Sequence, residues 1–390
     1  MDTPVYLSAP EAANELGIRQ ATLYAYVSRG LIRSVAGPGR SRRYHAEDVR
    51  LLRDRREGGE ADGGGSGPGG PVLESALTLI DEAGPIYRGH AAVALAETAS
   101  LERIATLLWD CATDPFARPA PDLPLVPPAG LRPLERVMTV LAAWPMVDPS
   151  AYGVSRPVLE QKGAALVRVG VAALLNRAPS TEPVHLQLAS GWGVAPGPGA
   201  ELIRAALVLS ADHEFNTSAF AVRCAASTRA PLHAALGAGL GAFSGARHGA
   251  SSERVEGWLD RIESEADIDS LMQERLYRGE DLPGFGHSIY TVPDPRAAVL
   301  LRKIVTAGLE HPLVPLLPKL TDTATRLFGQ APNIDFALAA LRRVLGLPEY
   351  AGMSMFCAGR LVGWIAHALE QYQRPEQIRP RARYVGERPR

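Results

Sequence analysis

A chain of 390 residues with 46% apolar content is long enough for two or three domains and a sizeable buried core. Its net charge of −1 excludes a global bias toward nucleic acid or membrane, and no apolar run reaches the roughly 18 residues that a spanning helix requires. Cys111, Cys224 and Cys357 are widely spaced with no CxxC pair, which argues against a disulfide framework or a metal site and for a reducing cytoplasm. The first residues lack the basic and apolar regions of a signal peptide, so none is expected.

The charge is unevenly spread. Residues 1–56 carry ten Arg against six Asp and Glu, a net of +4, which leaves −5 on residues 57–390. Ser8 and Glu11 have capping-box spacing, so a first helix starts there, with Ala12, Ala13 and Leu16 as apolar positions before Gly17 breaks it. Arg19 to Ser28 reads as a second short helix. Gly37-Pro38-Gly39 then turns a basic hairpin that ends in Arg40-Ser41-Arg42-Arg43-Tyr44, and Glu47 to Arg56 reads as a third helix. Two helices, a basic hairpin and a helix make a winged helix-turn-helix plan, which resembles the MerR-type DNA-binding domain. That resemblance implies a partner, double-stranded DNA. Arg19, Gln20, Thr22 and Tyr24 of the second helix would face the major groove, and Arg40, Arg42 and Arg43 of the wing the phosphates or minor groove. The alternative is a small docking domain whose Arg residues form a solvated face. One copy binds DNA weakly, so a useful affinity implies a dimer made by the rest of the chain.

Residues 57–72 are dominated by glycine and cannot bury apolar surface, so they are expected to be a tether with a reach on the order of 20 Å. Beyond it, low aromatic content and abundant Ala and Leu predict a mostly α fold. Helices are expected from Pro133 to Trp144, Val158 to Asn176, Glu201 to Leu209 and Met353 to Tyr372. A long Ala-rich helix is expected from Asn216 to Phe243, bent or broken near Pro231. After Pro332, apolar residues at 334, 338, 341 and 345 keep a helical period. Residues 184–190 alternate as a strand would, and residues 114–132 read as a Pro-rich surface loop.

The chemistry sits in short segments where a His, Asp or Arg lies beside Gly or Pro. They are Asp212-His213-Glu214, Gly245 to Gly249 around His248, Gly284-Phe285-Gly286-His287, Asp294-Pro295-Arg296, Pro332 to Phe336 around Asp335, Gly359-Arg360, and Arg379-Pro380-Arg381. Flanking glycines let backbone approach a ligand closely. A helix is expected to start at Ser251 or Ser252, and a His at a helix N-terminus favours neutral imidazole, which can donate to a carbonyl becoming an enolate. Asp335 opens a helix, where an acid is favoured by the dipole, and can also serve as a general base. Three Arg with His213 can clamp two carboxylates by charge-assisted bonds. His233, His311 and His367 have no such setting and read as structural.

The wording and order of these seven motifs resemble the citrate synthase family over residues 73–390, and Arg88-Gly89 and Trp364-Ile365-Ala366-His367 match its bacterial members. The resemblance implies a two-domain all-helical fold, with residues 73–249 and 346–390 as the large domain and 250–345 as a small domain that closes over the site. It implies condensation of oxaloacetate with acetyl-CoA or propionyl-CoA, with acyl-CoA as a substrate and no permanently bound cofactor. Asp335 would be the base, His248 the enolate stabiliser and His287 the acid. His213, Arg296 and Arg360 would hold oxaloacetate, Phe356 would line the site, and Arg379 would be supplied across a homodimer interface.

Arg247 stands where the family commonly has Leu, Gly249-Ala250-Ser251-Ser252 where it has Gly-Gly-Ala-Asn, and Ser288 where many bacterial members have Arg. These departures leave the acyl donor open. The alternative function is a transcription regulator that uses the synthase fold as a metabolite sensor. Asp335 favours the enzyme, because sensing needs binding but no base.

Overall fold

The structure, a computed structural model, describes residues 6–18, 20–28, 32–37, 41–46, 48–50, 73–290, 293–380 and 386. The chain divides into an N-terminal unit and a large unit spanning Ser75–Arg379.

In the N-terminal unit, β1 (Tyr6–Leu7) leads into α1 (Ala9–Glu15) and α2 (Gln20–Ser28), followed by β2 (Ser34–Ala36) and β3 (Arg42–His45). The Ser8–Glu11 capping box forms as its spacing predicts: the Ser8 amide donates to Glu11 Oε2 at 2.7 Å and the Glu11 amide to Ser8 Oγ at 3.4 Å. The antiparallel sheet has the order β1-β3-β2, and β2 with β3 makes the expected hairpin. Ala12, Leu16, Leu23, Ile32, Tyr44 and Val49 fill a small core of their own. Most of the expected third helix, Glu47 to Arg56, lies outside the described residues, as do Arg19, Arg40 and the whole of the tether.

The large unit opens with strands β4 (Thr78–Asp81), β5 (Gly84–Tyr87) and β6 (His90–Ala91), in antiparallel order. These strands are too short for alternation to be read from the sequence. The turn between β4 and β5 is set locally: Asp81 Oδ1 accepts the Ala83 amide at 2.8 Å, and Gly84 adopts φ +109°. Helices follow: α3 (Ala92–Thr98), α4 (Leu101–Trp109), α5 (Pro133–Ala143), α6 (Arg156–Leu175), α7 (Val184–Gly191), α8 (Pro198–Ser210), α9 (Thr217–Ser227) and α10 (Leu232–Phe243). Then come α11 (Ser251–Leu259), α12 (Glu265–Tyr277), α13 (Pro295–Thr306), α14 (Leu313–Phe328), α15 (Ile334–Val344) and α16 (Ala351–Tyr372).

The strand expected at 184–190 is corrected to helix α7. Its apolar alternation also satisfies an i, i+4 pair, Val184 and Leu188, and both are buried. Buried Gln187 suits the helix because its side-chain amide donates to Ser180 and Glu182 carbonyls just before it. The break expected near Pro231 is real: α9 ends at Ser227, and Pro231 is the N-cap of α10. Residues 114–132 hold one 3-10 turn, Pro115–Ala117, anchored by Phe116 stacked on Trp109.

Helix α16 is the axis of the large unit, buried along its length apart from half-buried Glu370. Gly359 and Gly363 let it pass close to α8 and the turn after it. A Cβ at Gly359 would sit 2.6 Å from the Leu207 carbonyl oxygen, and one at Gly363 2.2 Å from that of Ala211. Real side chains do not tolerate such distances. Arg360 lies between these glycines, so the close approach carries its guanidinium to the end of α8.

Candidate active site

Each predicted side chain is placed by a local device. Asn333 caps α15 by accepting the Asp335 and Phe336 amides at 3.0 and 3.4 Å, which fixes Asp335 in the first turn. The Asn333 side-chain amide also donates to the Gly286 carbonyl at 2.9 Å, tying the Asp335 helix to the loop that carries His287. Gly284 and Gly286 adopt φ +89° and +81°, and a Cβ at Gly284 would meet Val255 at 2.8 Å. Asp294 caps α13 and grips Arg296 with two bonds, Nε to Oδ1 at 3.0 Å and Nη2 to Oδ2 at 2.8 Å. Both are 2% exposed.

His213 Nε2 lies 3.0 Å from the Tyr290 hydroxyl, and its ring is 5.2 Å from that of His287. The Arg296 guanidinium lies 5.8 Å from the Tyr290 ring centre, on the same cluster. His287 Nδ1 accepts the Ile289 amide at 3.1 Å, so the proton of its neutral ring sits on Nε2. His248 Nε2 lies 2.7 Å from Ser218 Oγ, which also accepts the Trp364 indole N–H at 3.1 Å. Phe356 packs against His248 at 6.3 Å between ring centres, and the Arg360 guanidinium lies 5.0 Å from the Phe356 ring centre. Arg360 Nε donates to the Ser210 carbonyl at 3.0 Å, whereas its Nη2 is buried without a partner.

The electrostatics split the groups into proton donors and an acceptor. Burial, then Arg360, pushes His248 down to about 4. Burial, then Arg296 and Arg360, holds His213 well below the ordinary imidazole range, and burial followed by Arg296 lowers His287. All three rings are therefore neutral near pH 7. Burial raises Asp335 to about 7 against the opposing pull of Arg296 and Arg360. Its Oδ1 is sealed from solvent and has no hydrogen-bond partner. Burial brings Arg360 down to about 10, which leaves it charged at neutral pH. Arg296 and Arg360 act on His213 and on Asp335 alike, so the histidine and the acid both lie within the electrostatic reach of the two arginines.

One predicted residue stands apart: Arg379 is exposed, and no contact draws it to the cluster among the described residues. Three contributors carry little sequence signal. Ser218 looks like an ordinary residue in the first turn after the Asn216 cap, and Tyr290 like a loop aromatic. Asp294 reads as a helix cap in Asp-Pro-Arg. Among the described residues no group of three His, Cys, Asp or Glu is placed to hold a metal ion.

Residues 161–381 match the family description "Citrate synthase, C-terminal domain", and residues 6–56 match "Helix-turn-helix domain". The chain is 37% identical over 193 residues to citrate synthase of Haloferax volcanii, covering 48% of this chain and 51% of that one. It is 31% identical over 187 residues to 2-methylcitrate synthase of Shewanella oneidensis, covering 47% and 50%. It thus spans about half the length of these curated relatives. The fold matches the crystal structure of citrate synthase from Thermotoga maritima with a TM-score of 0.67 and 24% identity, over 82% of this chain and 94% of that one. It matches equally, at 23% identity, citrate synthase of Thermoplasma acidophilum in ternary complex with carboxymethyl coenzyme A and oxaloacetate, over 82% and 95%. With more than half of its length matched by the family description, the chain belongs to the citrate synthase family.

Proposed function

We propose that this protein condenses an acyl-CoA with oxaloacetate and releases CoA, and that its N-terminal unit binds duplex DNA. The observation that carries the first part is Asp335: a sealed, unpartnered carboxylate oxygen, poised at about 7, beside two buried arginines.

In this reading Asp335 removes a proton from the carbon next to the thioester. That proton is very weakly acidic, so the enolate needs a donor aimed at its oxygen, worth roughly 3–4 kcal/mol. His248 is that donor. The enolate carbon attacks the ketone carbon of oxaloacetate, and His287 gives its Nε2 proton to the ketone oxygen. Water then hydrolyses the thioester and CoA leaves as the thiol. Arg296, Arg360 and His213 hold the two carboxylates of oxaloacetate, and the buried free Nη2 of Arg360 supports that role. Phe356 walls the site. Residues 250–345 close as a small domain and exclude water until the carbon–carbon bond has formed. The active form is a homodimer in which Arg379 of one copy completes the clamp of the other. Its exposure in its own chain supports this assignment.

In the N-terminal unit, Gln20, Thr22 and Tyr24 are exposed on α2, and Arg42 and Arg43 are exposed on the wing strand. Gln20 and Tyr24, four residues apart, share a face that a major groove would meet.

Incubating the protein with oxaloacetate and either acetyl-CoA or propionyl-CoA, then identifying the product by mass, tests the condensation. Citrate or 2-methylcitrate is expected, and absence of both contradicts it.

A further inference from the structure

A second set of charged side chains lies behind the dianion site and takes no part in the proposed chemistry. Arg223 on α9, His367 on α16 and Asp212 after α8 are each 0% exposed. Arg223 Nε donates to His367 Nδ1 at 3.1 Å, and His367 Nε2 lies 3.1 Å from Asp212 Oδ1. The far end is closed by Glu370, which pairs with Arg223 Nη2 and accepts the Ser75 hydroxyl at 2.9 Å and the Ala76 amide at 2.8 Å. Arg223 Nη1 also donates to Gln371 Oε1 at 3.3 Å, and its guanidinium lies 4.8 Å from the Phe215 ring centre.

The chemistry of these contacts fixes the protons. A guanidinium can only donate, so His367 Nδ1 must accept; its one proton is therefore on Nε2 and is given to Asp212. A protonated ring would set N–H against N–H at Arg223. His367 is thus a neutral bridge between a buried cation and a buried anion, held in one tautomer from both sides.

The near end of this line reaches the clamp. Asp212 is the residue before His213, and its backbone is pinned through the Tyr87 hydroxyl, which bonds to its carbonyl and amide at 3.2 Å each. Asp212 is also the anion that acts most strongly on Arg360. Helix α16 grips the turn at both ends, with Arg360 Nε on the Ser210 carbonyl and His367 on Asp212. The Gly363 backbone packs against it between them.

We propose that Arg223 and His367 are positioning residues for the oxaloacetate clamp: they hold the Asp212 carboxylate away from Arg360 and keep the His213 turn in place. This rests on the oxaloacetate reading of the site. Without His367, the Asp212 carboxylate stays buried and keeps only the Thr78 hydroxyl near it. Apart from His367, Arg360 is the cation that acts most strongly on Asp212, and an Asp212–Arg360 pair competes directly with a substrate carboxylate. The defect is therefore confined to the dicarboxylate and does not reach the acyl-CoA.

The test uses the full chain with His367→Asn and His367→Gln. Asparagine keeps an acceptor for Arg223 but falls short of Asp212, whereas glutamine spans both partners, its carbonyl toward Arg223 and its amide toward Asp212. We expect His367→Asn to weaken oxaloacetate binding, read by calorimetry and by KM, at least about tenfold, or roughly 1.4 kcal/mol. KM for the acyl-CoA should stay within about twofold and His367→Gln within about threefold of wild type, on the same scale. Glu370→Gln, at the half-buried end, is a third variant that keeps the packing and should weaken oxaloacetate in the same direction. Wild type that binds oxaloacetate with His367→Asn and Glu370→Gln unchanged overturns the positioning role alone. Equal losses in both KM values, tracking a lowered melting temperature, overturn it too, since a merely structural role does that. Wild type that fails to bind oxaloacetate overturns the reading of the site and this proposal with it.

Discussion

At the scale of single residues, the site works by setting proton affinities through burial. Asp335 has no donor on Oδ1, and the loss of hydration outweighs two arginines, so its proton affinity rises to about 7. A base must be ionised to act. kcat/KM is therefore expected to rise with pH through about 7 and to fall on the acid side, and a pH–rate profile checks this. The same shift has the opposite sign for stability. A carboxyl with a raised folded-state value disfavours folding once the unfolded group ionises, near 4, and the penalty grows until about 7. Asp335→Asn removes it. The variant should melt above wild type at pH 8, with the gap closing as pH falls toward 4. A variant that is less stable than wild type at pH 8 would contradict the burial argument. Part of this residue-scale picture is legible in the sequence. Glycines beside His248 and His287 and the cap before Asp335 mark places where backbone meets ligand. Ser218 is not legible, because its partner His248 is thirty positions away and only the fold brings them together.

At the scale of elements, helices carry chemistry to the site because glycine lets them approach. Gly363→Ala places a Cβ against the Ala211 carbonyl and 2.7 Å from Asp212 Oδ1. It should cost about 1–3 kcal/mol or more in urea unfolding, with α16 pushed away from the turn before His213. Asn333→Ala is expected to lose roughly 1 kcal/mol as a helix cap. It should also lower kcat by more than the stability change implies, since Asn333 joins the Asp335 helix to the His287 loop. A kcat that is unchanged in the folded variant would show that cap and loop act independently. Helical period and proline punctuation made α5, α6, α15 and α16 readable. The expected strand at 184–190 failed because its apolar residues fit two periods and only packing on neighbouring helices chooses. The β4–β6 sheet escaped notice because each strand contributes only a few residues, too few to show an alternation.

At the scale of the whole molecule, the sequence separates a basic N-terminal segment from an acidic remainder. The fold of the large unit matches solved citrate synthases over most of its length. For the N-terminal unit, electrophoretic mobility shifts with the protein's own promoter DNA should show affinity that falls with salt. Arg42→Ala and Arg43→Ala should flatten that salt dependence by about one unit of slope each. Equal binding with residues 1–56 deleted would refute the assignment. The central claim concerns the large unit, and oxaloacetate-dependent release of CoA thiol, with wild type compared to Asp335→Ala, tests it most directly. Wild type should release thiol from acetyl-CoA or propionyl-CoA only when oxaloacetate is present, and the variant should be slower by roughly 10²- to 10⁴-fold. No oxaloacetate-dependent release from wild type, or an equal rate from the variant, would contradict the account.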